Sequence, residues 1–595
     1  MDYYGLMVST LRNWRLAFVS AFALGAFPAW AHETPLPQSH PQDVTSQQES
    51  DNTAALNAEL FYNLLVGEMA ASIGDGTNAI ALLMDAARQN QSPQLYQRSA
   101  EIALQARSGP QALMVATEWQ KNFPQSREAN LYLLQVLLML NRVSESQEPL
   151  QREIAWTDPA AKSATYLNIA QLYSRASDKA LAAAVVEEAL QKDLKNPAIA
   201  PAAWATIGHM RMTAKQKNLA LQALMHAHAQ GPYDGATALL ALELMQAGDS
   251  SVEAIIQEYM RKDPAPTIQL AYARLLIEKN RWDAAQKQLT PLLKANPDMA
   301  DAWLTQATVF AQDQEWEKAQ NAIQRLESLL QTIADENQRE YALSQAYLLG
   351  GRISIQQKNY EQALKWLEKI PNATDLLQVQ SLKALALAKQ GKLAHGRALI
   401  RAVNAKNDAE TVQKRQAEVS LLRESGAPQE AFLLQLTLHE QFPANPDIAY
   451  ETAILAEQAN KIDKMEELLR NIIAKHPNYY HASNALGYSY ADRGINLDEA
   501  KTLISNALQQ APNDPFIMDS LAWVEFRLSN TKKALELLEQ AYALRNDVEI
   551  AAHLGEVLWS TGEEKRARSI WRQALERDSS NATLRSTLER LQVEP

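Results

Sequence analysis

Residues that could act as nucleophiles, acid–base groups or metal ligands are present in this sequence, but their spacing does not assemble a reaction centre. Residues 487–491 resemble the G-x-S-x-G motif of hydrolases but lie inside a predicted repeat helix. The sequence has no H-E-x-x-H motif and no phosphate-binding loop. His226 and His228 are two residues apart and face different directions on a helix, whereas a metal pair needs i, i+4 spacing. We interpret them as surface histidines and predict a protein with no enzyme activity, metal or cofactor.

The composition excludes further classes of site. There is no cysteine, so disulfides, thiolate nucleophiles, cysteine-ligated zinc or iron–sulfur centres and a lipidated cysteine are excluded. The formal net charge is −12, whereas a nucleic-acid partner would require a clustered basic face. We therefore predict that the chain binds no nucleic acid and carries no lipid anchor.

The length and composition indicate what kind of scaffold carries these residues. A single core rarely grows beyond roughly 250–300 residues, so a chain of 595 residues must form several domains or a repeat array. Glycine is scarce at 19 residues, and strong helix formers such as Ala, Leu, Gln, Glu and Lys are abundant. Both features predict an all-α protein.

An internal repeat is clearest near the carboxyl end. Ala500, Ala534 and Ala567 follow one another at 34 and 33 residues, and a second alanine lies seven residues after each of them. Each unit contains a large–small pair, then Ala-x3-large-x2-Ala, and often a proline. The small residue, such as Gly487 or Gly555, lets the second helix approach the first, and the large residue fills the space between them.

The same frame extends toward the amino end, with irregular units. Matching residues include Gly67 with Ala79, and Gly208 with Ala220. The step from Ala319 to Ala363 is 44 residues, which predicts a longer helix or loop in that unit. Degenerate units lie near the following residues: Ser146, Glu253, Gly396 and Met465.

This order resembles the tetratricopeptide repeat, with its unit of about 34 residues and its W-x2-L-G-x2-Y…A-x3-F…P signature. The resemblance implies an all-α superhelical solenoid of about fifteen helix pairs. We predict an N-terminal array over 54–330, degenerate central repeats over 331–480 and well-formed repeats over 481–580. Residues 581–595 are predicted to form a capping helix and tail, because such arrays need a polar end.

The resemblance also indicates a candidate binding surface, since the first helix of each pair lines the concave face in this family. The predicted inward positions of the C-terminal units are Tyr450, Asn484, Tyr488, Asp519, Trp523 and Arg527. Aromatic anchors beside amide and charged groups are typical of peptide-binding grooves. Packing between helices is the alternative role for these aromatic residues, and we favour it for Phe526 and Trp559.

The first residues are typical of a secretory signal peptide. Arg12 and Arg15 precede an apolar run over 16–27, and Ala29-Trp30-Ala31 has the small-x-small form of a cleavage site. The run is short of the roughly 20 apolar residues that a membrane span needs. We therefore predict cleavage between Ala31 and His32, a periplasmic protein, and a flexible leader over 32–53 that is rich in Pro, Gln and Ser.

A closer resemblance rests on the order of features and on three C-terminal segments. These are Ala485-Leu486-Gly487-Tyr488, Asp519-Ser520-Leu521-Ala522-Trp523 and the run over 552–559. Together with the leader and residues 60–68, they resemble the proteobacterial periplasmic repeat proteins that partner the carboxyl-terminal processing protease. That family is lipidated, and this chain has no cysteine, so the anchor does not carry over.

The resemblance implies a non-catalytic adaptor that presents cell-wall hydrolases to a periplasmic serine protease. The alternative is a scaffold for envelope assembly or polysaccharide export, in which similar repeat proteins also occur. Both hypotheses make other proteins or peptides the partners of this chain. The residues alone do not separate the two.

Overall fold

The structure is a computed structural model that describes residues 58–332, 335–371 and 376–595. Within these ranges it contains 31 α-helices, a few short 3-10 helices and no strand. The predicted all-α class is therefore confirmed. The predicted signal peptide, its cleavage between Ala31 and His32, and the leader all fall outside the described residues.

The described residues form two compact units, and the boundary between Ala302 and Trp303 falls within α15. The helices that begin in the N-terminal unit are α1 Ala58–Ser72, α2 Gly76–Asn90, α3 Pro93–Gln105, α4 Gly109–Asn122, α5 Arg127–Met139, α6 Gln147–Trp156, α7 Lys162–Tyr173, α8 Lys179–Leu190, α9 Ala200–Thr213, α10 Lys217–Gln230, α11 Gly235–Gln246, α12 Glu253–Tyr259, α13 Pro266–Glu278, α14 Trp282–Ala295 and α15 Ala300–Gln312.

The remaining helices belong to the C-terminal unit. They are α16 Trp316–Leu330, α17 Glu336–Gln356, α18 Tyr360–Glu368, α19 Leu377–Lys389, α20 Leu393–Ala402, α21 Asp408–Glu424, α22 Pro428–Gln441, α23 Pro446–Gln458, α24 Ile462–Lys475, α25 Tyr480–Arg493, α26 Leu497–Gln510, α27 Pro515–Arg527, α28 Thr531–Leu544, α29 Val548–Ser560, α30 Glu564–Arg577 and α31 Ala582–Leu591.

In chain order, α1 to α30 make fifteen pairs, which agrees with the predicted number, and α31 follows them. The alanines of the repeat frame lie where second helices pack on first helices, because only a methyl group fits there. They are at most 1% exposed: Ala79, Ala112, Ala220, Ala285, Ala319, Ala363, Ala500, Ala534 and Ala567. Pro443, Pro477 and Pro512 each lie two residues after the end of a second helix, since proline does not continue a helix.

Small residues in the first helices allow the pairs to pack closely. A Cβ on Gly487 would lie 2.6 Å from Ile504 Cγ1 and 2.9 Å from the Ala500 carbonyl oxygen. A Cβ on Gly555 would overlap the indole ring of Trp571. The sequence pattern of a small residue opposite an Ala-x3-large stripe therefore corresponds to direct contact between the two helices of one pair.

The irregular units differ from the others mainly in helix length. The 44-residue step between Ala319 and Ala363 corresponds to α17, which has 21 residues. Near Glu253 a 3-10 turn precedes a second helix of only seven residues. Near Gly396 the second helix has 10 residues, and its glycine lies against the backbone of Ala384. Among the described helices, none combines the length and apolarity needed to cross a membrane.

Candidate functional site

The repeats place the predicted binding residues on the first helices α23, α25 and α27, and five of the six are buried. Tyr450, Tyr488 and Trp523 are 5–6% exposed, and Asn484 is 8% exposed. Asp519 is fully buried and Arg527 is exposed. Their role in partner binding stays a prediction, but any partner must approach mainly through edges and polar atoms of these side chains.

Three neighbouring first helices bring together a set of side chains that we call the C-terminal cluster: Asn484, Tyr488, Asp519, Trp523 and His553. The Nδ1 atom of His553 lies 2.9 Å from Asp519 Oδ2, across from α29 to α27. The His553 imidazole stacks on the Trp523 indole with ring centroids 4.4 Å apart and planes 22° apart. The centroid of the Tyr488 ring lies 6.2 Å from the centroid of the His553 imidazole. Asn484 lies one helical turn before Tyr488 on α25.

His553 is the one member of this cluster that is not among the binding residues predicted from the sequence. It is 2% exposed and connects two candidates, Asp519 and Trp523. A signal for it exists in the sequence, since Asp519 and His553 are 34 residues apart, which is one repeat. An acid and a histidine at the repeat period can meet across adjacent first helices.

The electrostatics of the cluster centre on a buried ion pair. Burial is the largest single influence on the pKa of His553 and lowers it, whereas the negative charge and hydrogen bond of Asp519 raise it. The charges of Glu556 on α29 and Asp492 on α25 add to this rise. The pKa of His553 therefore lies above its ordinary value of 6.5, and the charged imidazolium is favoured beside Asp519.

Two polar atoms of the cluster have no hydrogen-bond partner among the described residues. They are the Trp523 Nε1, which can only donate, and the Asn484 Oδ1, which accepts. Both are buried. Most buried polar atoms in proteins are paired, so this donor and this acceptor on adjacent first helices are the groups of the cluster whose hydrogen-bonding capacity its own contacts leave unused.

Tyr450 belongs to the same hydrophobic core as Tyr488 and Trp523, and Arg527 lies one helical turn after Trp523 on α27. The Tyr450 ring packs 5.6 Å from the ring of Tyr479, whose hydroxyl donates to Asp447 Oδ1 at 2.8 Å. Burial raises the pKa of Tyr450. Arg527 Nη1 donates to the Asp492 carbonyl oxygen at 3.4 Å, and the guanidinium remains exposed.

One partly buried carboxylate lies near Asp519 of the cluster, and another lies near Tyr450. Burial raises the pKa of Asp547, and the charge of Asp519 raises it further. Burial also raises the pKa of Glu451, which nearby Arg423 only partly offsets. Each of these groups is therefore ionised at a cost in solvation free energy, which a nearby cation would reduce.

The two histidines considered as metal ligands have other contacts. His226 stacks on the Trp204 ring with centroids 4.6 Å apart, and His228 Nε2 lies 2.9 Å from Glu258 Oε2. Among the described residues, no three His, Asp or Glu side chains are grouped to hold a metal ion.

Family models match separate stretches of the chain. A tetratricopeptide-repeat model matches residues 270–329 and 520–582, which overlap the best-formed units of the repeat frame. A model described as the coatomer epsilon subunit matches residues 307–526. Neither covers half of the chain.

Three curated relatives are similar over part of their length. A TPR repeat-containing protein of Pseudomonas aeruginosa is 31% identical over 206 residues, which is 35% of each chain. Cellulose synthase operon protein C of Pseudomonas fluorescens is 23% identical over 56% of this chain and 27% of its own. Mouse tetratricopeptide repeat protein 21A is 25% identical over 60% of this chain and 32% of its own. The matched segments thus span about a third of these relatives.

Solved structures with similar helical arrangements include yeast Tom70 and the Cut9–Hcn1 hetero-tetramer. Each is 12% identical over 90% of this chain, covering 94% and 96% of the other chain, with TM-scores of 0.35 and 0.29. These scores are too low to bear on function. The repeat frame, the helix pairs, the family model and the relatives thus agree that the chain contains repeats of the tetratricopeptide type, which the family model matches over 270–329 and 520–582.

Proposed function

We propose that this chain is a non-catalytic protein-binding scaffold that holds a segment of a partner protein at the C-terminal cluster. The observation that carries the proposal is the pair of buried, unpartnered atoms, Trp523 Nε1 and Asn484 Oδ1, beside aromatic rings. A peptide backbone offers one carbonyl acceptor and one N–H donor per residue, which matches this donor and acceptor. Binding would therefore satisfy groups that are otherwise buried without a hydrogen bond.

The surrounding charges favour a partner segment that carries Lys or Arg. Asp492 is exposed, and the pKa values of Asp547 and Glu451 are raised mainly by burial. A cationic side chain placed near them would recover part of their lost solvation energy and add affinity. The exposed Arg527 also lies in this region and would repel a cation placed beside it. A basic residue of the partner is therefore favoured near the carboxylates and not near Arg527.

The finer proposal is that the scaffold works in the periplasm as an adaptor for a carboxyl-terminal processing protease. It is supported by the signal-peptide pattern over 1–31 and by the resemblance of the C-terminal segments, including the run over 552–559. Two proteins held on one scaffold meet at effective concentrations in the millimolar range, if the geometry suits. A protease would thus cut a cell-wall hydrolase that it otherwise meets rarely.

A second candidate is a scaffold for polysaccharide export or envelope assembly. The specific observation in its favour is the 23% identity to cellulose synthase operon protein C over 56% of this chain. In that case the partner segment would belong to an export component. Affinity purification from the periplasm separates the two candidates by the identity of the protein that is retained.

Asn484→Ala is expected to weaken partner binding at least about fivefold, because it removes an acceptor worth about 1 kcal/mol to the complex. Stability should stay the same or rise, since the lost Oδ1 has no described partner and alanine is the better helix former. The measurement compares the amount of a carboxyl-terminal processing protease retained by each variant, alongside its melting temperature. Asn321→Ala, at an exposed position on α16, is the matched control and should change neither.

The adaptor step itself is tested with purified components. Adding the scaffold to an active carboxyl-terminal processing protease should accelerate degradation of a cell-wall hydrolase, and Asn484→Ala should reduce the acceleration. An unchanged rate would exclude the adaptor role for that pair and leave polysaccharide export as the leading candidate.

Export makes a separate prediction. Protein recovered from the periplasm should begin at His32, because cleavage is expected after Ala31. N-terminal sequencing measures this directly. An intact Met1 or Met7 terminus on protein in a cytoplasmic fraction would contradict export.

A further inference from the structure

A second group of aromatic and charged side chains lies on α23, the first helix of the pair that precedes the C-terminal cluster. Tyr450 and Glu451 follow Asp447 by three and four residues, so the three share one face of that helix. Tyr479, just before α25, packs its ring 5.6 Å from the Tyr450 ring and donates its hydroxyl to Asp447 Oδ1 at 2.8 Å. The His481 ring lies 5.9 Å from the Tyr479 ring. We call these five residues the α23 site.

Two polar groups of the α23 site are left without a partner. The Tyr450 hydroxyl and the Glu451 carboxylate make no hydrogen bond, and Glu451 makes no ion pair within 4 Å, with any residue that the structure describes. The Tyr450 side chain is nevertheless buried, and Glu451 is half-buried. Most buried polar groups in proteins are paired, so the contacts of the chain itself leave the capacity of these two groups unused.

The charge of the site decides which kind of ligand it favours. Burial raises the pKa of Glu451 and the charge of Asp447 raises it further, whereas Arg423 on α21 partly offsets both. Burial lowers the pKa of His481, so its imidazole is mostly neutral at pH 7 and adds no positive charge. Two carboxylates thus face one guanidinium, and the balance favours a cation over an anion.

We propose that the α23 site binds one arginine side chain of a partner protein. A guanidinium has five N–H donors in a planar fork, which pairs with a carboxylate such as Glu451 through two parallel hydrogen bonds. The charge of Glu451 acts on the Tyr450 hydroxyl, so the two groups lie near each other and that oxygen can accept a further N–H. The half-buried Tyr479 ring offers a face to the planar cation. A lysine ammonium, as a point charge, would use this arrangement less completely.

The α23 site adjoins the C-terminal cluster. His481 lies one helical turn before Asn484 on α25, and Tyr450 belongs to the same hydrophobic core as Tyr488 and Trp523. A partner segment held at the cluster can therefore extend to α23. The proposal rests on the proposed function for the existence of that segment, and it adds the identity of one of its residues.

The test uses the purified protein and two small probes of nearly the same shape, N-acetylarginine amide and the neutral N-acetylcitrulline amide. 3-Fluorotyrosine in place of Tyr479 reports binding through its fluorine NMR resonance, because it keeps the hydroxyl that Asp447 accepts. The arginine probe should shift this resonance saturably with a Kd of about 1–10 mM, as suits a single side chain. The citrulline probe should cause no saturable shift.

Two substitutions then test the roles of the unpartnered groups. Glu451→Gln should weaken binding of the arginine probe at least about fivefold, and Tyr450→Phe about two- to fivefold. Neither should lower the melting temperature, because Glu451 is ionised at a solvation cost and the Tyr450 hydroxyl has no described partner. Glu536→Gln, at an exposed position on α28, is the matched control and should leave the Kd unchanged.

Several results would overturn the assignment. No saturable shift up to about 50 mM arginine probe, or an equal shift with the citrulline probe, would show that the site does not recognise the cation. An unchanged Kd in a folded Glu451→Gln variant would place the arginine elsewhere. Saturable binding of N-acetylglutamate amide in its stead would assign the site to an anion held by Arg423. Normal arginine binding without a partner adduct near Asp492 in cells would support this site and contradict the proposed function alone.

Discussion

Asp519→Ala is expected to destabilise the C-terminal unit by about 3–5 kcal/mol, which is the usual cost of removing one partner of a buried ion pair. Asp519 is fully buried, and its carboxylate is the acid 2.9–3.0 Å from the His553 imidazole, itself 2% exposed. Without Asp519, His553 must either stay charged in an apolar site or lose its proton. Thermal and urea unfolding followed by circular dichroism measure the loss.

Glu539→Ala is the matched control in the same unit. Glu539 pairs with Arg566 at 2.7 Å, and the two side chains are 45% and 52% exposed. Exposed pairs contribute about 0–1 kcal/mol, so this variant should unfold almost like the wild type. Equal effects of the two substitutions would contradict the buried ion pair.

The same pair gives the C-terminal unit a pH dependence. The pKa of His553 in the folded chain is raised above the unfolded value near 6.5, so its contribution is complete below 6.5 and is lost as pH rises through the folded pKa. The charged groups that face it are Asp519 on α27, Asp492 on α25 and Glu556 on α29. Stability should therefore fall on the alkaline side of pH 6.5, and Asp519→Ala should lack most of this slope.

Trp571→Ala is the second substitution with a large expected effect, again about 3–5 kcal/mol. Trp571 is fully buried as the large residue of the Ala-x3-large stripe on α30, and its Nε1 donates to the Ala552 carbonyl oxygen at 3.3 Å. Alanine would leave a cavity between α29 and α30 and would remove the indole's hydrogen bond to that carbonyl. Denaturant unfolding of the purified variant tests the prediction.

A double-variant cycle then tests the contact between Trp571 and Gly555. In the wild type, Gly555→Ala should destabilise by about 1–3 kcal/mol, because the added Cβ overlaps the indole. In the Trp571→Ala background the space is free, and the better helix propensity of alanine should stabilise by up to about 1 kcal/mol. The sign of the effect should therefore reverse. Additive effects would show that the two residues do not share this contact.

The helix pairs could be predicted from the sequence because their packing rests on local, periodic requirements. Ala500, Ala534 and Ala567 recur at steps of 34 and 33 residues, and all three are fully buried. The long step after Ala319 likewise corresponds to the 21-residue helix α17. A repeat array makes contacts mainly between neighbours, so its periodic residues directly indicate its packing.

The partners of buried charges were harder to predict. Glu525 is fully buried and lies 3.0 Å from both Lys501 and Lys533, which tie it to α26 and α28. Glu418 is similarly held by two arginines, Arg397 and Arg401. These residues look like ordinary surface charges in the sequence, because the alternation of charged and apolar residues does not indicate which charges lie between helices.

His553 shows the same limit within the candidate site. Its contact with Asp519 depends on how α29 packs beside α27, and hydrophobic periodicity carries no information about polar pairing. The sequence did point to Asp519 and Trp523, and the structure brings both against His553. Tyr450, on the earlier helix α23, packs against Tyr479 in the structure.

Site-specific photo-crosslinking in living cells tests the central claim most directly, namely that the chain binds a partner protein at the C-terminal cluster. A photoreactive amino acid at Asp492, which is exposed and electrostatically coupled to His553, should yield an adduct with one partner protein. The same probe at Gln573, exposed on α30, serves as the control and should yield none. Asn484→Ala should reduce the Asp492 adduct at least about fivefold. An adduct that forms equally at both positions, or that Asn484→Ala leaves unchanged, would contradict binding at the cluster.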